Sequence, residues 1–422
     1  MNFCIQDPSY KESMYLHESL LTACKDGVVG GGAYAFASQG GVELLFADEA
    51  FGRFMDTGYF YLVVGMDDIT NIKTLSALRD FEERYKGHLV VKAYVHNSRG
   101  STFHPKYSWF KKQEGGLIVI GSGNLTQQGL RHNREAYTVV ECDSKTIDGI
   151  VDEWNSWLAH SQPFLFDVDD SLVLSIAAKN TTKTNAIARA KQEIADKPES
   201  PEEAALKDLF RSQPKNLRKK GEAKAQKPKE TPKEEDAQKA RIVLPLSEEY
   251  DEDDAYWTLN SESSVLVAEI PRSGNRWKQV NFSKEIFEDF FGATCGENGA
   301  YRVLLKSINS SGVMGDTEVR PSVSVSSHNY RFELDAAAGI DYPDGGKRPI
   351  GVFAKVSERD FLYELVMPWN AGYDSLVTTM DTRQPMTTRM RRLIYCCEEI
   401  SQKAPELSIW KRVGEDYYGN RE

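Results

Sequence analysis

The stretch "STFHPKYSWFKKQEGGLIVIGSGNLTQQGLRHNREAYTVVE", residues 101 to 141, decides the fold. Within it "HPKYSWF", "GLIVIGS" and "EAYTVVE" each read as a strand, rich in aromatic and β-branched residues and separated by turn-forming ones. Residues two apart on a strand share a face, so His104 and Lys106 project together while Pro105 and Tyr107 point away. A histidine beside a cation tends to lose its own proton, which is the state a nucleophilic imidazole requires. Lysine adds a compact positive charge with three donors for an anionic oxygen. The apolar run then ends in a Gly/Ser/Asn turn. Its backbone N–H groups, the Ser122 hydroxyl and the Asn124 amide all suit a phosphate. Glu135 opens the next strand, where a carboxylate can orient an imidazole. Nucleophile, anion clamps and orienting acid are all present.

Outward from this segment, the first 160 residues alternate helical and extended patterns. "YKESMYLHESLLTAC", "NIKTLSALRDFEERYKG" (closed by Gly87) and "SKTIDGIVDEWNSWLAHS" carry helical spacing, while "YFYLVVGM" and "HLVVKAYVH" read as buried strands. This succession predicts an α/β domain with a mixed sheet flanked by helices. Gly30 to Gly32, in "VVGGGAY", lack the spacing of a phosphate-binding loop and read as a flexible turn beside the site. His132 reads as a loop residue.

Beyond residue 165 one or two helices are expected in "SLVLSIAAKNTTKTNAIARAKQEIADK", after which the chain becomes rich in Pro, Lys and Glu. Between 211 and 241 eleven Lys/Arg face five acids, a local excess of six positive charges. So polar a stretch buries too little apolar surface to order itself and reads as a tether; its charge also suits a nucleic-acid backbone. From 242 short extended runs return: "WKQVNF", "AYRVLLKSI", "SVSVSSHNYRFEL", "PIGVFAKVS" and "FLYELVM". "SKEIFEDFFG" and "TTRMRRLIYCCEEISQ" look helical. Three regions are thus expected: a catalytic domain over 1–165, a helical extension and linker over 166–241, and a β-rich domain over 242–422.

The chain has 422 residues, 40% of them hydrophobic and 27% charged, with a formal net charge of −11. That balance argues against a protein that is basic all over, without excluding a local basic groove. No apolar stretch reaches the roughly 18–20 residues of a membrane span, and the start lacks the pattern of a secretory signal. No membrane association and a cytoplasmic location are expected. The six cysteines are scattered without metal-ligand spacing, so no metal site and no cofactor are expected.

"HPK" followed by "GSGN" resembles the two halves of the phospholipase D superfamily signature. The pattern departs from that signature at Lys111, where an aspartate usually follows. With Glu135 eleven residues beyond Asn124, the segment is most like the restriction endonucleases of that superfamily. The resemblance covers roughly residues 10 to 165. It implies metal-independent phosphodiester chemistry through a covalent phosphohistidine. His104 would be the nucleophile, Lys106, Asn124 and Ser122 would stabilise phosphate charge, and Glu135 would orient His104. One such motif is found where the superfamily's site uses two, so a homodimer is implied.

In the C-terminal part, "EIPRSGNRWKQVNFSKEIFEDFFG" places Arg272, Arg276, Lys278 and Gln279 around a strand, residue types that read base edges or hold phosphates. A Trp-bearing strand, then a helix with F-x-x-F-F, then more strands faintly resembles a pseudobarrel DNA-recognition domain. Trp277 and Phe282 read as core. Arg389, Arg391 and Arg392, in "TTRMRR", read as a solvated helix face or as phosphate contacts. The reading that follows is a restriction-type or phage-defence DNA endonuclease. Two others stand beside it: a phospholipase or phosphatidyl-transferring enzyme, and a DNA-binding subunit that depends on a partner such as an ATPase or helicase.

Overall fold

The computed structural model describes residues 1–96, 100–195, 256–272, 277–293, 300–322, 330–385 and 390–413. The tether expected over 196–241 lies outside the described residues.

The first unit opens with β1 (Asn2–Gln6), α1 (Leu16–Cys24), β2 (Gly27–Tyr34), α2 (Gln39–Phe46), α3 (Glu49–Met55), β3 (Tyr59–Gly65), α4 (Ile72–Arg84) and β4 (Leu89–Tyr94). It continues through β5 (Lys106–Lys112), β6 (Gly116–Gly121), β7 (Glu135–Cys142), α5 (Ser144–Ser161), β8 (Leu165–Phe166) and α6 (Ser171–Ala195). Its eight strands form one sheet in the order β1-β7-β6-β5-β2-β3-β4-β8. Strands β2, β3 and β4 run parallel, and the rest pair antiparallel. This is the mixed sheet with flanking helices that the sequence predicts.

Alternation along each strand divides the core. Phe60, Leu62, Phe110 and Val119 pack with α1 to α4 on one face, whereas Val63 and Trp109 pack with Trp154 of α5 on the other. Asn71 and Asp143 cap α4 and α5 by accepting from Thr74 N and Thr146 N. Gly87, at φ +84°, turns the chain beyond α4.

The glycine run 30–32 is not a turn. It lies inside β2, between β3 and β5. The rings of neighbouring strands occupy the space side chains would need: a Cβ on Gly31 would sit 2.8 Å from Trp109 Nε1. Composition suggested flexibility where close packing is the reason.

The second unit comprises β9 (Ser264–Glu269), β10 (Gln279–Asn281), β11 (Arg302–Ile308), β12 (Met314–Pro321), β13 (Arg331–Glu333), β14 (Ile350–Lys355), β15 (Asp360–Val366), α7 (Tyr373–Arg383), β16 (Arg392–Cys396) and α8 (Cys397–Lys403). Six strands form a sheet in the order β12-β11-β15-β14-β9-β16, and β10 pairs with β13 apart from it. Among the described residues this is an open sheet with edges at β12 and β16, and no closed barrel forms. Trp277 and Phe282 are core residues, packed with Phe291, Phe332 and Phe353.

The run expected as one helix over "TTRMRRLIYCCEEISQ" divides into strand β16 and helix α8. Leu393 and Tyr395 pair with Val267 and Val265 of β9, so sheet pairing outweighs local helical propensity. Nor do the two units touch only through a tether. One apolar core runs from Leu20 and Phe46 to Trp257, Leu304 and Leu362.

Candidate active site

Sheet register assembles the site. Tyr107 lies opposite Ile120, and Gly121 opposite Tyr137, so the start of β5, the end of β6 and the start of β7 meet at one sheet edge. The parallel strands β2, β3 and β4 end at that same edge, the usual place for a site in an open α/β sheet. Lys106 reaches it from the first residue of β5 and His104 from the segment leading into that strand, Ser122 and Asn124 from the turn after β6, and Glu135 from β7.

Lys106 Nζ lies 2.9 Å from Nδ1 and 3.1 Å from Nε2 of His104. Nearly equal distances to both nitrogens place the ammonium against the ring rather than on the in-plane lone pair of either one. Burial lowers the Lys106 ammonium below the ordinary lysine range, and Glu135 partly offsets that by attracting the charge. The Phe36 ring stands edge-on to His104, with centroids 6.1 Å apart. His104 itself is exposed.

Glu135 accepts from the Ser122 hydroxyl and, at 3.0 Å, from Asn133 Nδ2. Among the described residues it makes no hydrogen bond to His104. Its charge acts on Lys106, holding part of that ammonium's charge in place. Ser122 N donates to Ala136 O at 3.0 Å, which fixes the turn to β7. The turn is also stitched to the end of β2: Leu125 N donates to Phe36 O, and Ser38 N to Leu125 O. Among the described residues, Asn124 Oδ1 is buried without a hydrogen-bond partner. Such orphans are rare in folded proteins, and this one lies in the loop that closes the site.

Lys111 stands at the far end of β5, roughly 16 Å along the strand from Lys106 at 3.3 Å per residue. It pairs with Asp148 of α5 at 2.6 Å. Its departure from the family pattern therefore subtracts nothing from the contacts at the sheet edge.

Three contributors escaped sequence reading. Asn133 holds Glu135, Phe36 flanks His104, and Asp67 Oδ2 accepts from Phe103 N at 2.8 Å and lies 3.3 Å from His96 Nε2. Only register and loop path bring them together; the spacing of Asn133 and Glu135, two apart, was the one signal available.

The C-terminal candidates do not converge. Arg391 is buried, its guanidinium held by Glu269 at 2.9 Å and Asp381 at 2.5 Å. It lies on no solvated helix face and is not accessible to a phosphate. Arg392 donates to Asn281 O at 2.6 Å from the start of β16. Lys278 pairs with Glu333 at 2.6 Å, Arg272 is exposed and lies over the Tyr342 ring, and Gln279 begins β10. Arg276 and Arg389 lie outside the described residues.

His132 lies in the connection between β6 and β7, as expected of a loop residue, but not at the surface. Its ring is buried and stacked on Tyr256 with an interplanar angle of 7°. Among the described residues no group of three or more His, Cys, Asp or Glu side chains is arranged to hold a metal ion. No helix among them is long and apolar enough to cross a membrane.

No family model matches the chain, and no curated protein matches it. Solved structures resemble part of it. Nuc from Salmonella typhimurium, a phospholipase D family member, is 14% identical over 39% of this chain and 97% of its own, with a TM-score of 0.29. NucT from Helicobacter pylori is 13% identical over 35% and 88%, with a TM-score of 0.26. Phosphatidylserine synthase from Haemophilus influenzae Rd KW20 is 15% identical over 42% of each chain, with a TM-score of 0.27. Each likeness spans less than half of this chain, and the chemistry of the site follows from its own residues.

Proposed function

We propose that this protein is a phosphodiesterase acting on DNA through a covalent phosphohistidine on His104. The observation that carries the reading is the contact between Lys106 Nζ and His104 Nδ1, 2.9 Å apart, at the sheet edge that also holds Ser122, Asn124 and Glu135. In the free site Lys106 lies against the imidazole and leaves the in-plane lone pair clear. An arriving phosphodiester offers that ammonium a full negative charge, which draws the phosphorus to the ring.

The nitrogen attacks phosphorus, the N–P bond forms, and the bond to the leaving oxygen breaks. That oxygen takes a proton from a second acid. Water then attacks the phosphohistidine, passes a proton to the same group, and the N–P bond breaks. Lys106 and the Asn124 amide stabilise the non-bridging oxygens. Glu135, held by Ser122 and Asn133, holds part of the Lys106 charge in place.

His104 of a second copy supplies the second acid in this scheme. An exposed apolar row beside the site supports such a pairing: Phe3, Ile5 and Ile120 stay 67%, 64% and 49% exposed on the sheet face that α5 leaves uncovered. Phe3 and Ile120 flank Thr138 in one cross-strand row. DNA is favoured by the exposure of His104 and Ser122 on an open sheet edge, where an internal phosphodiester of a long chain has access. Arg272, Lys278 and Gln279 remain the C-terminal candidates for contact with it.

Incubation of plasmid and phage DNA with the protein in EDTA, beside His104→Ala, tests the reading. Cutting by the wild type alone supports it. Equal cutting by both proteins contradicts it. If neither protein cuts, the same pair is assayed on phosphatidylcholine vesicles and with an added helicase-type ATPase, which separates lipid and partner-dependent chemistry.

A further inference from the structure

The loop between Asn124 and Glu135 is built into the interface between the two units. Its middle, Gln128–His132, is a wide helical turn closed by a bond from Asn133 N to Gln128 O. On the site side, the turn touches the catalytic residues directly. Gly129 packs so closely on Asn124 that a Cβ there would lie 2.6 Å from Asn124 N and O. Asn133, the residue after the turn, holds Glu135. Gln6 Nε2 gathers both ends, donating to Gly129 O and Asn133 O at 3.2 and 2.9 Å.

On its other side, the turn enters the second unit. Arg131, fully buried, donates to Asp360 Oδ1 at 2.7 Å and to Arg302 O at 3.0 Å, and lies over the Tyr15 ring. Asp360 also accepts from Tyr256 Oη at 2.7 Å and Ser357 Oγ at 2.9 Å. Burial works to raise the Asp360 carboxyl, but Arg131 and these two hydroxyls draw it below the usual carboxylate range.

Two further buried pairs cross the same interface, Arg359 with Glu18 at 3.0 Å and Arg302 with Asp48 at 2.8 Å. Each pair takes one member from each unit. Of these three pairs, the Arg131–Asp360 pair ends in the loop that carries the site.

We propose that Arg131 and Asp360 are positioning residues: through them the C-terminal sheet holds the 124–135 loop so that Asn124 and Glu135 face His104 and Lys106. An event on the second unit that shifts the start of β15 would reach the site by this path. The structural half of the proposal stands alone, and its catalytic half rests on the phosphodiesterase reading above.

Asp48→Asn supplies the control, since the Asp48 carboxylate holds the Arg302 guanidinium across the same interface and leaves in place the Arg302 main-chain carbonyl that Arg131 bonds. Tyr256→Phe, which removes one hydrogen bond to Asp360, is the milder companion should Asp360→Asn fold poorly. Amide hydrogen exchange over residues 122–136 is compared in the full-length variants, together with turnover of bis(p-nitrophenyl) phosphate. Asp360→Asn is expected to speed exchange in 122–136 about tenfold and to lower kcat about tenfold with KM within threefold. Tyr256→Phe is expected to shift both in the same direction by less, and Asp48→Asn to leave exchange there within twofold. Equal acceleration in the Asp360 and Asp48 variants, or none in Asp360→Asn and Tyr256→Phe, overturns the proposal. Absence of turnover by the wild type counts against the phosphodiesterase reading, and the exchange data then decide the positioning role by themselves.

Discussion

Two cations of the molecule meet opposite kinds of partner. At the edge of the first sheet, Lys106 lies against the His104 ring, and Glu135, whose charge acts on it, is occupied by Ser122 and Asn133. In the second unit, Arg391 is closed in by Glu269 and Asp381. A cation that faces an uncommitted side can be recruited by an anionic ligand. One already locked to a buried carboxylate cannot. Clusters of basic residues in a sequence do not distinguish these cases, because the distinction lies in which acid the fold sets opposite.

The contrast can be broken most severely at Lys106. Lys106→Ala is expected to lower DNA cleavage about 10²- to 10³-fold, the usual cost of removing one preorganised charge stabiliser, with little change in Tm; an unchanged rate would place the clamp elsewhere. At Arg391 the effect should move from activity to stability. Arg391→Ala leaves Glu269 and Asp381 without their common partner and is expected to cost about 3–5 kcal/mol in denaturant unfolding, while the catalytic rate per folded molecule is kept.

Acid should expose the buried interface between the sheets. His17 and His132 are each pushed down to about 3, by burial first and by Arg131. The unfolded chain binds these protons near pH 6.5 and the folded one does not. Stability should therefore fall as pH drops from about 6.5 towards 3, on the order of a few kcal/mol for each histidine. A urea-midpoint series over that range checks the slope, and His132→Phe should flatten it. Lys106→Arg sharpens the contrast on the alkaline side. Burial keeps Lys106 below the ordinary lysine range, so activity should fall at a pH below that range, and arginine should move this limb upward. The smallest effect is expected at Lys278, whose half-exposed pair with Glu333 contributes less than about 1 kcal/mol. If DNA contacts it, Lys278→Ala weakens binding at low salt; if not, binding is unchanged.

The motif strands were legible because they are short, strongly apolar and bounded by turn residues, and β5, β6 and β7 fall on the predicted runs. The two-residue spacing of His104 and Lys106 also signalled their meeting, although the strand itself begins only at Lys106. What was not legible depends on distant neighbours. The Gly30–Gly32 run became a central strand because Trp109, Phe60 and Phe110 fill the space beside it. β1 is an edge strand whose Phe3 and Ile5 are exposed, so its pattern gives no inward face. The partners of Glu135, Ser122 and Asn133, come from register and loop path. His132 and Arg391 carry ordinary surface residue types; the second unit covers His132 with Tyr256, and Glu269 and Asp381 of its own unit enclose Arg391.

Covalent capture on His104 tests the central claim most directly. DNA labelled at its phosphates is mixed with protein in EDTA, quenched in alkali during the first turnover, digested and read by mass spectrometry. A phosphate-linked nucleotide on the peptide carrying His104, acid-labile and absent from His104→Ala, is the predicted result. DNA cleavage that proceeds at full rate with no adduct on that peptide would contradict it.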